Sequence, residues 1–521
     1  MSRIFTGTVI TSADNDHAID NASDAIFIAR SAMIGATGTD AYAIHSPSSG
    51  MRLTVAGQVY SETGAIYSGS STARIWVTPD GIVSSRFYAM QINGSADISN
   101  AGYVSGYDTI WVSTASQFDT FNLSNTGTIE GYSFALSSSA ASNINNSGSI
   151  FGFYGISLSS YADTIYNNGL IYGPIYLNSG NDSVDTRLGI VNGRINGGNG
   201  DDVIHGSLTN RNVLGGDNGE DLLVGGDADD ILIGGTGADE MIGGGGIDAA
   251  SYDMASSPVV VDLLSPWLST GDAIGDSYDS IENLIGSIYG DTLFGDNSAN
   301  VLNGGNGQDT LNGRGGDDRI YGGAGNDVMI GGDGADIYYV TDAGDTVIEL
   351  QGAVAGTDTV RSSVSFNIGA QFIELLILTG GDAINGTGNS QANTMAGNSA
   401  ANVLDGRAGS DRLTGGFGSD SFMMTTALSA TNVDTITDFQ VGFDKIGVDR
   451  SFFTQVGAAG ALDPNAFGAF GAADASDRIL YDSATGTLYY DSDGSGAAAA
   501  VAFALVTPGL AMSASDFFVV L

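Results

Sequence analysis

Aspartates recur every nine residues through the middle of this 521-residue chain, each at the end of a glycine-rich turn. The clearest windows are GGNGDDVIH (Gly197–His205), GGDADDILI (Gly225–Ile233), GGTGADEMI (Gly234–Ile242), GGNGQDTLN (Gly304–Asn312) and GGAGNDVMI (Gly322–Ile330). Each opens on Gly-Gly, carries Asp at the sixth place and an apolar residue at the eighth. Glycines let the turn enter backbone conformations closed to residues with a Cβ. The turn's carbonyl oxygens and the sixth-place carboxylate then converge on one spot. A hard cation between two stacked turns would find the about six to eight oxygens that Ca²⁺ takes. The chemistry on offer is calcium coordination.

The register holds over three blocks. Sixth-place residues fall at Asp202, then at Asp221, Asp230, Asp239 and Asp248, then at Asp291, Asn300, Asp309, Asp318, Asp327 and Asp336, and in a decayed block at Asn393, Asn402, Asp411 and Asp420. All are candidate ligands, for several ions, since Asp and Asn both supply a carbonyl-type oxygen. Steps inside a block are nine; the one slip, Asp202 to Asp221, implies an extra residue around Gly216–Gly219. Two nonapeptides complete a coil, so turns eighteen residues apart stack on one side. The eighth-place residues (Ile204, Leu223, Leu232, Met241, Leu293, Leu302, Leu311, Ile320) should face the core. A glycine-rich linker does not keep an apolar residue two places after an acid.

This nonapeptide, G-G-x-G-x-D-x-U-x, resembles the repeat of RTX (repeats-in-toxin) proteins, which implies a calcium-binding parallel β-roll. Beyond it, DTITDFQVGFDKI (Asp434–Ile446), DRILYDSATGTLYYDSDGSG (Asp477–Gly496) and the ending SASDFFVVL (Ser513–Leu521) resemble the C-terminal domain that follows RTX repeats in serralysin-type proteases and related exported proteins. Together the resemblances span residues 197–521. They imply a Gram-negative, extracellular protein that folds on Ca²⁺ after export, with the type I secretion machinery as a partner reading the C-terminus. Within that domain DSDGSG (Asp491–Gly496) lacks the third acidic position and distal Glu of an EF-hand. Lying between two strand-like runs, it reads as a hairpin turn.

The elements that position these residues read as all-β in three parts. Residues 1–195 form an expected parallel β-helix, 196–430 an RTX β-roll with bulged coils at 252–285 and 341–385, and 431–521 a small β-rich secretion domain. The first part carries its own turn motif: NAGYVSG (Asn100–Gly106), NTGTIEG (Asn125–Gly131), NSGSIFG (Asn146–Gly152) and NNGLIYG (Asn167–Gly173), with echoes at Gly57 and Gly81. The middle glycines are 25, 21 and 21 residues apart, one turn of a wider solenoid. Inward residues would be Val104, Ile129, Ile150 and Ile171. In the bulged segments VVVDLL, SIENLIGS and FIELLILTG read as buried strands, the last two as variants of one unit.

Charge narrows the partners. Only 14% of residues are charged, yet the net charge is -43, and residues 196–430 hold 34 acids against 6 bases. Such a segment repels itself until divalent cations neutralise it. Nucleic acid is excluded as a partner, because a polyanion needs basic patches and the chain has one lysine, Lys445. Cysteine is absent, which removes disulfides and thiolate-liganded zinc. The start, MSRIFTGTVITSADNDHAID, shows no apolar core of a signal peptide. No transmembrane segment is expected, since the most apolar stretch, Ala497–Val506, is about half of what a spanning helix requires.

No catalytic residues are expected. Serralysins carry H-E-x-x-H; here the three histidines, His17, His45 and His205, are far apart and none adjoins a Glu. His205 reads as a solvated strand end. A β-helix ahead of RTX repeats also resembles secreted alginate epimerases and polysaccharide lyases. Their Y-G-x-D-P-H run is missing, however, with only Tyr-Gly shared at Phe153–Ser157. Arg74 and Arg86 near Asp80 and Asp97 are the best available constellation, and surface ion pairs are the simpler reading. Tyr154, Tyr161, Tyr166, Tyr172 and Tyr176 among Ser and Asn suit glycan stacking and, more simply, strand packing. The sequence therefore points to a secreted, calcium-binding protein of structural or adhesive role at a surface or matrix, with glycans as candidate partners. The alternative is a carbohydrate-active enzyme with an unfamiliar groove in residues 1–195, and zymography on anionic polysaccharides separates the two.

Overall fold

The computed structural model describes residues 3–521 except 13–15, 21–24, 48–49, 70–71, 115, 350–355 and 472–473. The described residues are strands, turns and a few 3-10 segments such as Pro266–Leu268. Two compact units are present, Met1–Asn283 and Leu284–Leu521.

In the first unit parallel strands stack coil upon coil. One sheet of thirteen strands runs from Arg3–Phe5 to Ser277–Asp279, and a second of nine from Thr8–Thr11 to Ile190–Asn192. A third face starts at Ile19–Asp20 paired with Tyr42–Ser46 and descends to Ile231–Thr236 paired with Ala249–Ser251. Three strands per coil make the expected parallel β-helix. When the second sheet stops at Ile190–Asn192, each coil keeps two strands and becomes a β-roll. The coil shortens accordingly, from Ile129 paired with Ile150 to Leu223 paired with Met241. Losing one strand and one turn turns a 21-residue period into an 18-residue one.

The core is where the periods place it. Val104, Ile129, Ile150 and Ile171 sit one above the other, fully buried. The inner sides of the coils are Val, Ile and Leu, β-branched or apolar residues that pack well on a pleated face. A second buried row explains the turn motif. Asn100, Asn125, Asn146 and Asn167 form an amide ladder in which each Nδ2 donates to the next Oδ1, at 2.8, 2.7 and 2.7 Å. Each amide also donates to a carbonyl beyond the turn, such as Asn125 to Ser149 O. Buried polar groups are thereby satisfied at that corner of four successive coils, whereas the coils before them place Val77, Val55 and Ile28 there.

The second unit repeats the two-strand coil. On one face Val301–Asn303, Arg319–Tyr321, Ile337–Val340, Thr359–Ser362, Leu375–Leu378, Thr394–Ala396 and Arg412–Thr414 pair successively in parallel. The opposite face includes Thr292–Phe294, Thr310–Gly315, Val328–Asp333 and Thr346–Ile348. The eighth-place residues of both units are fully buried, as expected. Residues 350–355 of the expected bulged coil lie outside the described residues, while Leu376 and Leu378 of FIELLILTG face the core.

After residue 430 the chain adds antiparallel pairs, Ile479–Asp482 with Thr487–Tyr490 and the latter with Val501–Leu505. DSDGSG lies in the link between the last two, a hairpin connection. The ending Phe517–Val520 is itself a strand, parallel to Lys445–Asp449. Its entry is fixed by a capping box between Ser513 and Asp516, and by Lys445 Nζ donating to Ser515 O at 2.7 Å.

Candidate metal centre

The sixth-place residues stand in vertical columns, because two nonapeptides make one coil. In the first unit the backbone N–H of Asp202 donates to Asp221 Oδ1 at 2.7 Å, that of Asp221 to Asp239 at 2.9 Å and that of Asp230 to Asp248 at 2.7 Å. In the second, Asp291 donates to Asp309 and Asp309 to Asp327, while Asn300 donates to Asp318 and Asp318 to Asp336, all at 2.7 to 2.9 Å. Asn393 and Asn402 donate to Asp411 and Asp420. One carboxylate oxygen thus holds the previous turn.

In most of these aspartates the other oxygen has no partner, whereas Asp291 accepts from Ser287 N and Oγ in its own turn. Oδ2 is buried without a hydrogen bond in Asp202, Asp221, Asp230, Asp239, Asp248, Asp309, Asp318, Asp327, Asp336 and Asp411. Native proteins leave few such groups, because each costs about 1–3 kcal/mol, and more when charged. So many in one set of columns is a pattern that needs a ligand. The first-place glycines face the same points. A Cβ on Gly225 would overlap Asp230 Oδ2 and the Gly243 carbonyl oxygen, and one on Gly304 would overlap Asp309 Oδ2 and the Gly322 carbonyl oxygen. Orphan carboxylate oxygen and stacked carbonyl oxygen therefore meet in space kept free of side chains. The second and fourth glycines serve the backbone instead, as Gly305 and Gly307 show with φ of 95° and 131°.

An all-oxygen, anionic cradle fits Ca²⁺. In the turn whose sixth place is Asn300, a protein cation reaches the first-place carbonyl: Arg314 Nη1 donates to Gly295 O at 2.7 Å. The asparagines otherwise differ from the aspartates. Asn393 and Asn402 each accept an N–H inside their own turn and donate Nδ2 to a carbonyl of the preceding coil, Ile373 O and Ile384 O. They keep no orphan oxygen.

With little counter-charge beside them, Arg211 acting on Asp230 alone of the ten, the column acids are hard to ionise. Burial first, and neighbouring aspartates after it, push Asp202, Asp221, Asp239 and Asp309 up to about 7 and Asp318 up to about 8. The backbone N–H bonds oppose this without overcoming it.

A model of the RTX calcium-binding nonapeptide repeat matches residues 192–210, 215–249, 278–347 (in overlapping segments) and 387–422. The chain carries RTX repeats. These are calcium-binding repeats, and the matched segments contain every sixth-place residue named from the sequence. No curated protein matches the chain.

The RTX columns extend beyond the motif. Upstream, Asp163 N donates to Asp182 Oδ1 and Asp182 N to Asp202 Oδ1. Downstream, Asp276, Asp345, Asp434 and Asp444 each accept from the preceding column member. Glu282 and Glu374 do the same for Asp248 and Asp358, which explains why SIENLIGS and FIELLILTG look alike. The extra residue expected near Gly216–Gly219 lies elsewhere. A Cβ on Gly206 would overlap Asn212, six places on, and Asn212 N donates to Asp230 Oδ1. The insertion is therefore in the turn 207–211, and Asn212 heads a column that the nine-residue register does not reveal.

The other candidates are dispersed. Arg74 pairs with Asp97 at 3.3 Å, Arg86 with Glu62 at 3.7 Å, and Asp80 with Arg30. Tyr154, Tyr161, Tyr166, Tyr172 and Tyr176 are exposed and none joins the core. Among the described residues no helix is long and apolar enough to cross a membrane.

Proposed function

We propose that the protein is exported by a type I machinery in a calcium-poor, unfolded state, folds on Ca²⁺ outside the cell, and serves there as a structural or adhesive component of a surface or matrix, without a catalytic site. The observation that carries this reading is the set of buried Oδ2 atoms without partners. Bound calcium supplies the positive charge that these carboxylates lack. Without it the columns repel themselves, so the same chain is expanded where free calcium is scarce and compact where it is abundant.

The adhesive part of the reading rests on the N-terminal β-helix. A shallow groove of about 360 Å³ lies on its thirteen-stranded sheet, lined by Trp76, Ser99, Ser124, Asn122 and Asn145. Trp76 is 62% exposed, a ring free to stack, while the small polar residues in register with it keep the floor low and hydrogen-bonding. That combination suits a glycan. An enzyme working in this groove would need acid–base groups; its charged lining residues are Arg74 and Asp97, which pair with each other.

Export is the test. Deleting Ser513–Leu521, or all of 431–521, should leave the protein inside a cell equipped with type I machinery, whereas deleting 1–195 should leave export intact. Secretion that survives loss of the C-terminal region would overturn the export assignment. In the folded protein Phe517 and Val519 are buried, so the ending is accessible to a receptor before folding.

A further inference from the structure

At the end of the second RTX block the column chemistry changes. Asp336, the last sixth-place residue of the block, is joined by two acids from outside the repeats, Glu349 after the strand Thr346–Ile348 and Asp358 before the strand Thr359–Ser362. One carboxylate oxygen from each lies within 4.8 Å of the others. All three residues are buried, Asp336 fully, and Asp336 Oδ2 has no hydrogen-bond partner. Gly331 faces the cluster, where a Cβ would overlap both Asp336 Oδ2 and the Tyr338 hydroxyl. That hydroxyl donates to Glu349 Oε2, and Asp336 N donates to Asp358 Oδ1 at 2.8 Å. The other charged groups acting on the three, Asp317 and Glu374, are acids as well.

Three carboxylates converge here, where each nonapeptide turn contributes one. Three formal negative charges buried together without a basic partner are not stable unless a cation is among them. The donors are all hard carboxylate oxygens, which suit the flexible coordination of Ca²⁺ better than the rigid octahedron of Mg²⁺. We propose that Asp336, Glu349 and Asp358 form a separate Ca²⁺ site, distinct from the nonapeptide sites in ligand set and charge, with Tyr338 orienting Glu349. It ties the non-repetitive segment that follows the block back onto its last repeat. The proposal rests on the calcium-loaded reading of the columns, and its test separates the two.

The experiment uses the full chain and counts bound Ca²⁺ by equilibrium dialysis. Tb³⁺ is titrated in parallel, with emission excited through tyrosine. Glu349→Gln and Asp358→Asn should each lose one bound Ca²⁺ while the remaining ions stay. Tyr338→Phe keeps all three carboxylates. It should keep the Ca²⁺ count and lose the Tb³⁺ emission that saturates with the site absent from Glu349→Gln. If Glu349→Gln fails to fold, Tyr338→Phe still decides, because unchanged emission would place no ion beside that ring. A chain that binds many ions, with Glu349→Gln and Asp358→Asn losing none, overturns this site alone. A chain that binds none overturns the calcium reading itself.

Discussion

Stripped of calcium at about pH 8, the RTX coils should lose their β-structure, and acidification to about pH 5 should restore much of it without any metal. The reason is proton linkage. An unfolded aspartate titrates near 3.9, whereas the metal-free fold holds Asp202, Asp221, Asp239 and Asp309 up to about 7 and Asp318 up to about 8. These pKa values are raised on folding, so the folded state binds more protons than the unfolded one. The protonated fold is favoured below about pH 4, and that stability is lost as the pH rises through about 7 to 8. A tenfold difference in proton affinity between folded and unfolded chain is worth about 1.4 kcal/mol. Shifts of about three such factors at each of five positions, even heavily discounted, are comparable with the about 5–15 kcal/mol that typically holds a domain together. Calcium should reverse the dependence. Protons and Ca²⁺ compete for the same oxygens, so with metal present the apparent affinity should fall on acidification while β content stays high above about pH 7. Circular dichroism across pH, in chelator and in calcium, measures both. Metal-free β content that rises with pH would contradict the burial argument.

The second large effect lies in the N-terminal β-helix. Ile150 is fully buried in register between Ile129 and Ile171. Replacing it by Asp puts a carboxylate into an apolar column with no partner, a cost of about 3–5 kcal/mol. Melting of this β-helix should fall by about 10–20 °C, and the coils around the mutation should be the first exposed to protease. Ser149→Asp changes a half-exposed neighbour on the same strand and should shift melting by little. Neither result should depend strongly on calcium, because these coils are held by inward Val and Ile, by the Asn100–Asn167 amide ladder and by parallel pairing between coils. Equal melting of the two variants would mean the inward face has been misassigned.

Regular spacing carried most of the fold into the sequence. A nine-residue step with Asp and an apolar residue two places later specifies a turn and a strand together, so the RTX columns and the buried Leu and Ile rows are readable directly. The 21-residue step did the same for Val104, Ile129, Ile150 and Ile171. What stayed hidden depends on height in the stack, which spacing along the chain does not report. Asp276 accepts from Asp239 although 37 residues separate them, because the intervening chain loops out and returns to the same corner. Asp358 follows Asp336 by 22, four more than the regular coil. Asn212 was obscured by one residue inserted into its turn. The asparagine ladder did leave a trace, an Asn two places before each turn glycine. The Asp–Asn equivalence assumed from shared chemistry overlooked the second amide atom: Nδ2 lets Asn393 and Asn402 donate to Ile373 O and Ile384 O of the preceding coil, which a carboxylate cannot do.

Calcium is the proposed counter-charge of the columns at neutral pH, and the most direct measurement is a titration of the chelated full-length protein with Ca²⁺ while bound ions and far-ultraviolet circular dichroism are followed together. Several ions should bind, β content should rise cooperatively with them, and Mg²⁺ at the same concentration should substitute poorly. Equal β content in chelator and in calcium, or a chain that binds no calcium, would contradict it.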